Sequence, residues 1–231
     1  MSEKNKKTKE EIFEIVIVIL LGITAVFMAW ASWISSLHGG NQATNYATSN
    51  NLAADGNSRW NEAVQSMTQD MITWNTISDL LIEISFADEN GDTASVEKNQ
   101  WKLDQIIADN TTDEFKTAID WAMEQEEYAS PFEMEGYSES YFEDAQACLD
   151  KSEAVLKQGE EDNKNGDAFG LVTVIYSVVL FLLGIVSTFK SFINKLAVTG
   201  ISIVAFVLAT IYMSAIPMPT GFQLFGFFGI Q

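Results

Sequence analysis

Twenty consecutive residues, Ile15 to Ile34, pass without a charged side chain, and the runs 168–189 and 196–217 are equally free of charge. At 1.5 Å per residue each run gives roughly 30 Å of helix, the thickness of a bilayer's hydrocarbon core. A spanning backbone must satisfy its own hydrogen bonds, so these runs are expected to be helices. The chain therefore reads as an all-α integral membrane protein with three transmembrane helices. A cleaved signal peptide is the rival for the first run, because Lys4, Lys6, Lys7 and Lys9 precede it and Ala29-Trp30-Ala31 loosely resembles a cleavage site. The run is longer than the ~7–15 apolar residues of such a peptide, and Glu10, Glu11 and Glu14 interrupt its basic flank.

The polar mass lies between the first two runs. Residues 37–167 hold 28 of the 32 acidic residues against 7 of the 13 basic ones, a net charge of −21. So negative a segment repels phosphate backbones and anionic headgroups, which excludes nucleic acid as its partner and leaves cations, basic proteins or water. The single cysteine, Cys148, rules out an intrachain disulfide and a multi-cysteine zinc site. The single histidine, His38, rules out nucleophilic triads and two-histidine metal sites of which it is not the member, and its place at the edge of a span reads as an interfacial side chain.

The expected organisation is a mixed-charge, lysine-rich tail (1–14), a first span (15–34), an acidic helical domain (37–167), a second span (168–189), a basic turn (190–195), a third span (196–217) and an apolar tail (218–231). The amino terminus and the turn fall on one side of the bilayer by parity, and both are basic. Lysine-rich flanks face the cytoplasm, which puts the acidic domain and the carboxy terminus outside. Lys151, Lys157 and Lys164 run against this rule. The tail Gly221–Gln231 is too short to span and is expected at the outer interface or on the base of the acidic domain, with its phenylalanines as anchors.

No Asp, Glu, Lys, Arg or His lies within the central part of any span, which argues against an ion-coupled transporter. Thr24, Ser32, Thr173, Ser177, Ser187, Thr199, Ser202, Thr210 and Ser214 are the polar residues left, and they can bond their own helix, bridge helices or line a wet pore. Ala25/Ala29 and Ala205/Ala209 offer small faces for close helix approach.

Within the acidic domain Trp60, Val64, Met67, Met71, Trp74, Ile77, Leu81 and Ile84 recur three or four apart, one apolar stripe close to a heptad seam. A helix from about Gln42 to Phe86 would be roughly 65 Å long, with breaks expected at Gly39-Gly40 and near Asn50-Asn51 and Gly56. Val96, Leu103, Ile106 and Ile107 mark a second helix; Phe115, Ile119, Ala122 and Met123 a third; Phe142, Ala145, Leu149, Val155 and Leu156 a fourth leading to the second span. Thr112 should cap the third helix and Ser138 the fourth, with Pro131 between them. The domain is expected to be a helical bundle or coiled-coil hairpin, with Trp60, Trp74, Trp101 and Trp121 as packing residues.

Two acidic features invite a metal reading. Asp88, Asn90 and Asp92 present oxygens at alternate positions, as a calcium loop begins, but Thr93 stands where that loop needs glycine and Asn99 where it needs a bidentate glutamate. A polar turn is the better reading. The cluster Glu124, Glu126, Glu127, Glu133 and Glu135 could bind divalent cations weakly, and reads otherwise as a solvated face. No nucleophile and base share a recognised context, so no catalytic residue and no cofactor are assigned, and the chain reads as a non-enzyme.

The stretch Gly39-Gly40-Asn41-Gln42-Ala43-Thr44 followed by Trp60, and the stretch Gly166 to Val174 followed by Leu180-Phe181-Leu182-Leu183-Gly184-Ile185, resemble a group of uncharacterised small prokaryotic membrane proteins. The resemblance covers about a third of the chain. It implies the same layout, one amino-terminal span, a helical insert and a carboxy-terminal span pair, and carries no activity and no functional residues. The expected partners are the bilayer and either further copies of the chain or another membrane or envelope protein. The function read here is an oligomeric or scaffold protein acting through its acidic domain, with a small oligomeric cation channel beneath an acidic vestibule as the alternative.

Overall fold

Apolar runs this long and acidic segments this rich in helix formers both favour the one backbone that bonds to itself. In the computed structural model, which describes residues 9–125 and 128–222, every regular element is helical. In chain order these are α1 (Lys9–Glu89), α2 (Thr93–Asn110), α3 (Asp113–Met123), a 3₁₀ turn (Pro131–Glu133), α4 (Tyr137–Ser140), α5 (Glu143–Ile185), a second 3₁₀ turn (Val186–Thr188) and α6 (Phe192–Ala215). Parts of α1, α5 and α6 are long and apolar enough to cross a membrane.

The first helix corrects the sequence reading. It runs unbroken through Gly39-Gly40, Asn50-Asn51 and Gly56. A glycine costs a helix interior only about 1 kcal/mol, which a helix packed along its length tolerates. At Gly56 the residue has a different purpose. A Cβ there would lie 2.9 Å from the Leu149 side chain and 3.2 Å from the Ala145 carbonyl, so glycine sets how closely α1 approaches α5.

The chain divides into two compact units, residues 1–48 with 154–231, and residues 49–153. In the first, α1, α5 and α6 share a core that includes Ala31, Ile34, Phe169, Val172, Tyr176 and Ala209, with a second cluster around Ile17, Val179, Leu183 and Val186. Phe27, Tyr176 and Phe206, one ring from each helix, meet at centroid distances of 5.4–6.1 Å. The Tyr176 hydroxyl, fully buried, lies 2.8 Å from Thr210 Oγ1, so its polar end has a partner inside an apolar core. Of the small faces, Ala205 and Ala209 are packed inside, whereas Ala25 and Ala29 are exposed. Gly159 makes the second close approach, since a Cβ there would lie 2.6 Å from the Tyr46 ring.

In the second unit Trp74, Ile77 and Leu80 of α1 pack with Leu103 of α2, Phe115, Ala118, Ile119 and Ala122 of α3, and Tyr137 of α4. Ser49 meets Ser152, Gly56 meets Leu149 and Trp60 meets Phe142, so α1 and α5 run antiparallel within this unit. Thr112 caps α3 as expected, its hydroxyl accepting from Phe115 N at 3.1 Å. Ser138 does not cap the fourth helix. It lies inside the short α4 and its hydroxyl donates to the Phe132 carbonyl, while Gly136, with φ of +82°, starts that turn in a conformation that favours glycine.

The two kinds of glycine predict opposite outcomes. Gly56→Leu should destabilise the folded chain by about 1–3 kcal/mol through overpacking against α5. Gly40→Ala, where no atom lies within 4 Å of the new methyl group, should stabilise it by about 0.5–1 kcal/mol. Thermal unfolding in detergent, followed by circular dichroism, checks both.

Candidate functional site

The apolar stripe of α1 does not lie on one face. Its later members, Trp74, Ile77, Leu81 and Ile84, turn into the domain's core, whereas Trp60, Val64 and Met71 are 41%, 44% and 49% exposed. The cause is the spacing. Steps of three and four that average below 3.6 drift round a straight helix, by about 120° between Trp60 and Ile84. The face that the stripe leaves is taken up further along by Ile82 and Phe86, 65% and 69% exposed. By helical phase these five residues share one side of α1 in a single row, with the uncharged Asn75 and Ser78 between Met71 and Ile82. Trp60 is the one partly engaged, with its ring 4.5 Å from that of Phe142.

Two buried polar clusters stand apart from this row. In the first unit His38, 1% exposed, places Nδ1 2.8 Å from Asp162 Oδ1 and Nε2 3.1 Å from the Pro217 carbonyl. The imidazole thus bridges the Asp162 carboxyl group on α5 and the Pro217 carbonyl beyond α6. Asn45 Nδ2 donates to Asp162 Oδ2 at 3.2 Å, Gln42 Nε2 to Asn163 Oδ1 at 2.8 Å, and Ser35 Oγ to the Gly166 carbonyl at 2.8 Å. Ser35, His38, Gln42 and Asn45 thus form a polar seam along α1. His38, which stands at the edge of the first apolar run, is the centre of a buried network.

In the second unit Asp70, 5% exposed, accepts at Oδ2 from Tyr137 Oη at 2.8 Å and from Tyr141 Oη, while the two phenol oxygens lie 2.9 Å apart. Burial, and then the neighbouring phenol and carboxylate, push the Tyr137 hydroxyl far up. Burial and the bond to Asp70 push Tyr141 up to about 12. Both phenols therefore hold their protons as donors.

The other sequence candidates fall into local roles. Asp92 caps α2, accepting from Ser95 N at 3.2 Å and Ser95 Oγ at 2.6 Å, and the serine holds its carboxyl below the usual range. Asn90 Nδ2 donates to the Phe86 carbonyl at 2.7 Å, and Asp88 lies exposed at the end of α1. Among the described residues no three His, Cys, Asp or Glu side chains are grouped to hold a metal ion. Glu124 follows α3, Glu133 lies in the 3₁₀ turn and Glu135 just after it, whereas Glu126 and Glu127 lie outside the described residues. Trp74 is core, Trp121 is packed against that core, and Trp101 is 65% exposed. Cys148 Sγ contacts Asp55, and burial followed by that carboxylate pushes the thiol up. Phe222 packs edge-on against Trp30 and Trp33 at 6.0 and 5.9 Å; the other phenylalanines of the tail lie outside the described residues.

Asp70, Tyr137, Tyr141 and Asp162 were not singled out from the sequence. Asp70 had a signal, because it sits seven residues from both Ala63 and Ile77, a carboxylate on a core-facing row. Tyr137 and Tyr141, four apart, had the spacing of one helix face. Asp162 had none, being one of three consecutive acidic residues. No protein family, curated protein or solved structure matches the chain.

The tyrosine pair predicts an alkaline transition. The folded-state value of Tyr141 is raised above the ordinary phenol value of 10, so its stabilising contribution is complete below pH 10 and is lost as pH rises towards about 12. Stability measured by denaturant titration should fall across that window, and Tyr141→Phe should flatten the fall while lowering stability at pH 7 by about 1–3 kcal/mol.

Proposed function

We propose that this chain is a non-enzymatic, multi-pass membrane protein whose acidic domain joins copies of the chain side by side. The observation that carries the reading is the open row Trp60, Val64, Met71, Ile82 and Phe86 on α1. Each contributes about 1 kcal/mol when its exposed part is covered, or about 10 kcal/mol over two facing copies, which lies within the range of the cost of association. Isolated domains would therefore pair weakly. Confinement in a bilayer raises the effective concentration and makes the same contact sufficient.

Membrane insertion is supported by the outward faces of the three candidate helices. Val18, Val26, Phe181 and Ile193 are among many large apolar side chains left exposed there, an arrangement costly in water and suited to lipid. The lysines of the amino terminus and of the 190–195 turn favour a cytoplasmic placement of both, with the acidic domain outside. The conducting alternative has less behind it. The hydroxyls of Thr24, Thr173, Thr199 and Ser202 bond carbonyls one turn back on their own helices, and Thr24, Thr199 and Ser202 are buried, so none of these is free to line a water-filled path.

Light scattering on the detergent-solubilised chain should give more than one protomer mass after the micelle is subtracted, and Val64→Lys with Met71→Lys should weaken association at least tenfold. A single protomer mass over a wide concentration range would overturn the reading. Salt separates the partners, since like-charged domains associate more tightly as it is raised, whereas a basic partner would be released. For orientation, in a Cys148→Ser background, Gln231→Cys should react with an impermeant thiol reagent in intact cells and Ser2→Cys should not.

A further inference from the structure

A groove of about 250 Å³ opens in the first unit between the start of α1 and the end of α5. Phe13, Ile17 and Leu21 of α1, Leu183 of α5 and Val186 of the turn that follows make its walls apolar, and Glu14, Ser187 and Lys195 line it as well. These three polar residues stand where the apolar runs begin or end, so the groove leads from that level into the depth of the runs. From Glu14 to Leu21 it follows roughly 10 Å of helix.

Gly184 lines the groove, and a Cβ there would meet nothing within 4 Å, so no neighbour requires the glycine. Its φ is not in the left-handed region either, so it is not a glycine that ends a helix. Its missing side chain leaves the groove open. Lys195 stands in the opening turn of α6, where a cation is disfavoured because it adds to the positive end of the helix dipole. That turn holds no acidic residue, and the Ser191 side chain makes no capping bond, so the start of α6 is suited to an anion. Glu14 does not supply it. Among the described residues Glu14 and Lys195 form no ion pair with each other, although both line the groove.

We propose that this groove holds one membrane glycerophospholipid with a phosphoethanolamine headgroup, an acyl chain lying along the apolar walls, the phosphate at Lys195 and the ammonium group at Glu14. The inference rests on the membrane reading given above. A zwitterion matches a lysine and a glutamate that share a groove without pairing. An anionic headgroup would serve Lys195 but bring nothing to Glu14. Choline carries a positive charge with no N–H to donate to a carboxylate. A sterol or neutral glyceride leaves both charges without a counterpart, and a free headgroup lacks the chain that suits the apolar walls.

The full chain in maltoside detergent is titrated with dioleoyl phosphatidylethanolamine, phosphatidylglycerol and phosphatidylcholine, and retained lipid is counted by native mass spectrometry. One phosphatidylethanolamine per chain is expected, held at least tenfold more tightly than the other two. Gly184→Leu, which fills the groove, and Lys195→Gln should each weaken binding at least tenfold, and Glu14→Gln should abolish the preference for ethanolamine over choline. Gly200→Leu adds the same bulk on a different outward face, where again nothing lies within 4 Å, and should change binding less than twofold. Should Gly184→Leu lose helicity, Lys195→Gln decides. Equal retention of the three lipids overturns the proposal, as does equal weakening by the two leucine variants, which is the behaviour of lipid coating the whole apolar surface. Free phosphoethanolamine binding as tightly as the lipid overturns it too. Alkaline extraction of reconstituted vesicles separates this site from the membrane reading: a chain that stays in the vesicles yet shows no lipid preference overturns the site alone, whereas a chain that is extracted overturns both.

Discussion

The contact between His38 and Asp162 is the constraint on which the arrangement of the first unit rests. It joins α1 to α5, and through the Pro217 carbonyl it also fastens the chain where it leaves α6. Burying two ionisable groups is costly unless every lone pair and proton finds a partner, and removing one member of such a pair typically costs about 3–5 kcal/mol. Here the requirement is met: among the described residues no buried side-chain nitrogen or oxygen lacks a partner. Apolar residues alone would permit α1 to slide against α5 by a turn with modest loss. A seam of Ser35, His38, Gln42 and Asn45 does not, because a slip would leave several buried polar groups without partners at once.

The second unit is organised around an acidic group as well, but with a different balance. Its core is aromatic, with Phe115, Phe132 and Tyr137 at centroid distances of 5.8–6.0 Å, and Asp70 is held at its edge by phenols rather than by a cation. In one unit Asp162 is bonded through both its oxygens, by His38 and Asn45; in the other Asp70 is bonded at one oxygen by two phenols.

Much of the secondary structure was legible, and for definite reasons. The three apolar runs and the helices marked by Leu103, Ile119 and Leu149 follow from periodicity, and the Thr112 cap from local hydrogen bonding. What could not be read is whatever depends on residues distant in the chain. Gly56 looks like a helix breaker until Leu149 is seen against it. His38 looks like a lone histidine until Asp162, 124 positions away, is placed beside it. The stripe from Trp60 to Ile84 reads as a single seam because a list of spacings hides cumulative drift. Only the packing of Trp74 and Ile77 against α3 shows where the inward face ends and the open row begins.

That open row has to be weighed against the charge around it. A segment of net charge −21 repels a second copy at most orientations, so apolar contact area alone would not make association selective. The row is free of ionisable groups along Trp60, Val64, Met71, Ile82 and Phe86, whereas neighbouring positions such as Glu62, Asp79 and Glu83 carry carboxylates. Rotating or shifting a partner helix away from the row brings carboxylates towards carboxylates, and each such approach costs energy that the neutral row avoids. On the proposed reading, repulsion therefore narrows the permitted orientations and the apolar row stabilises those that remain. On that reading the charge of the domain limits which of its faces can associate.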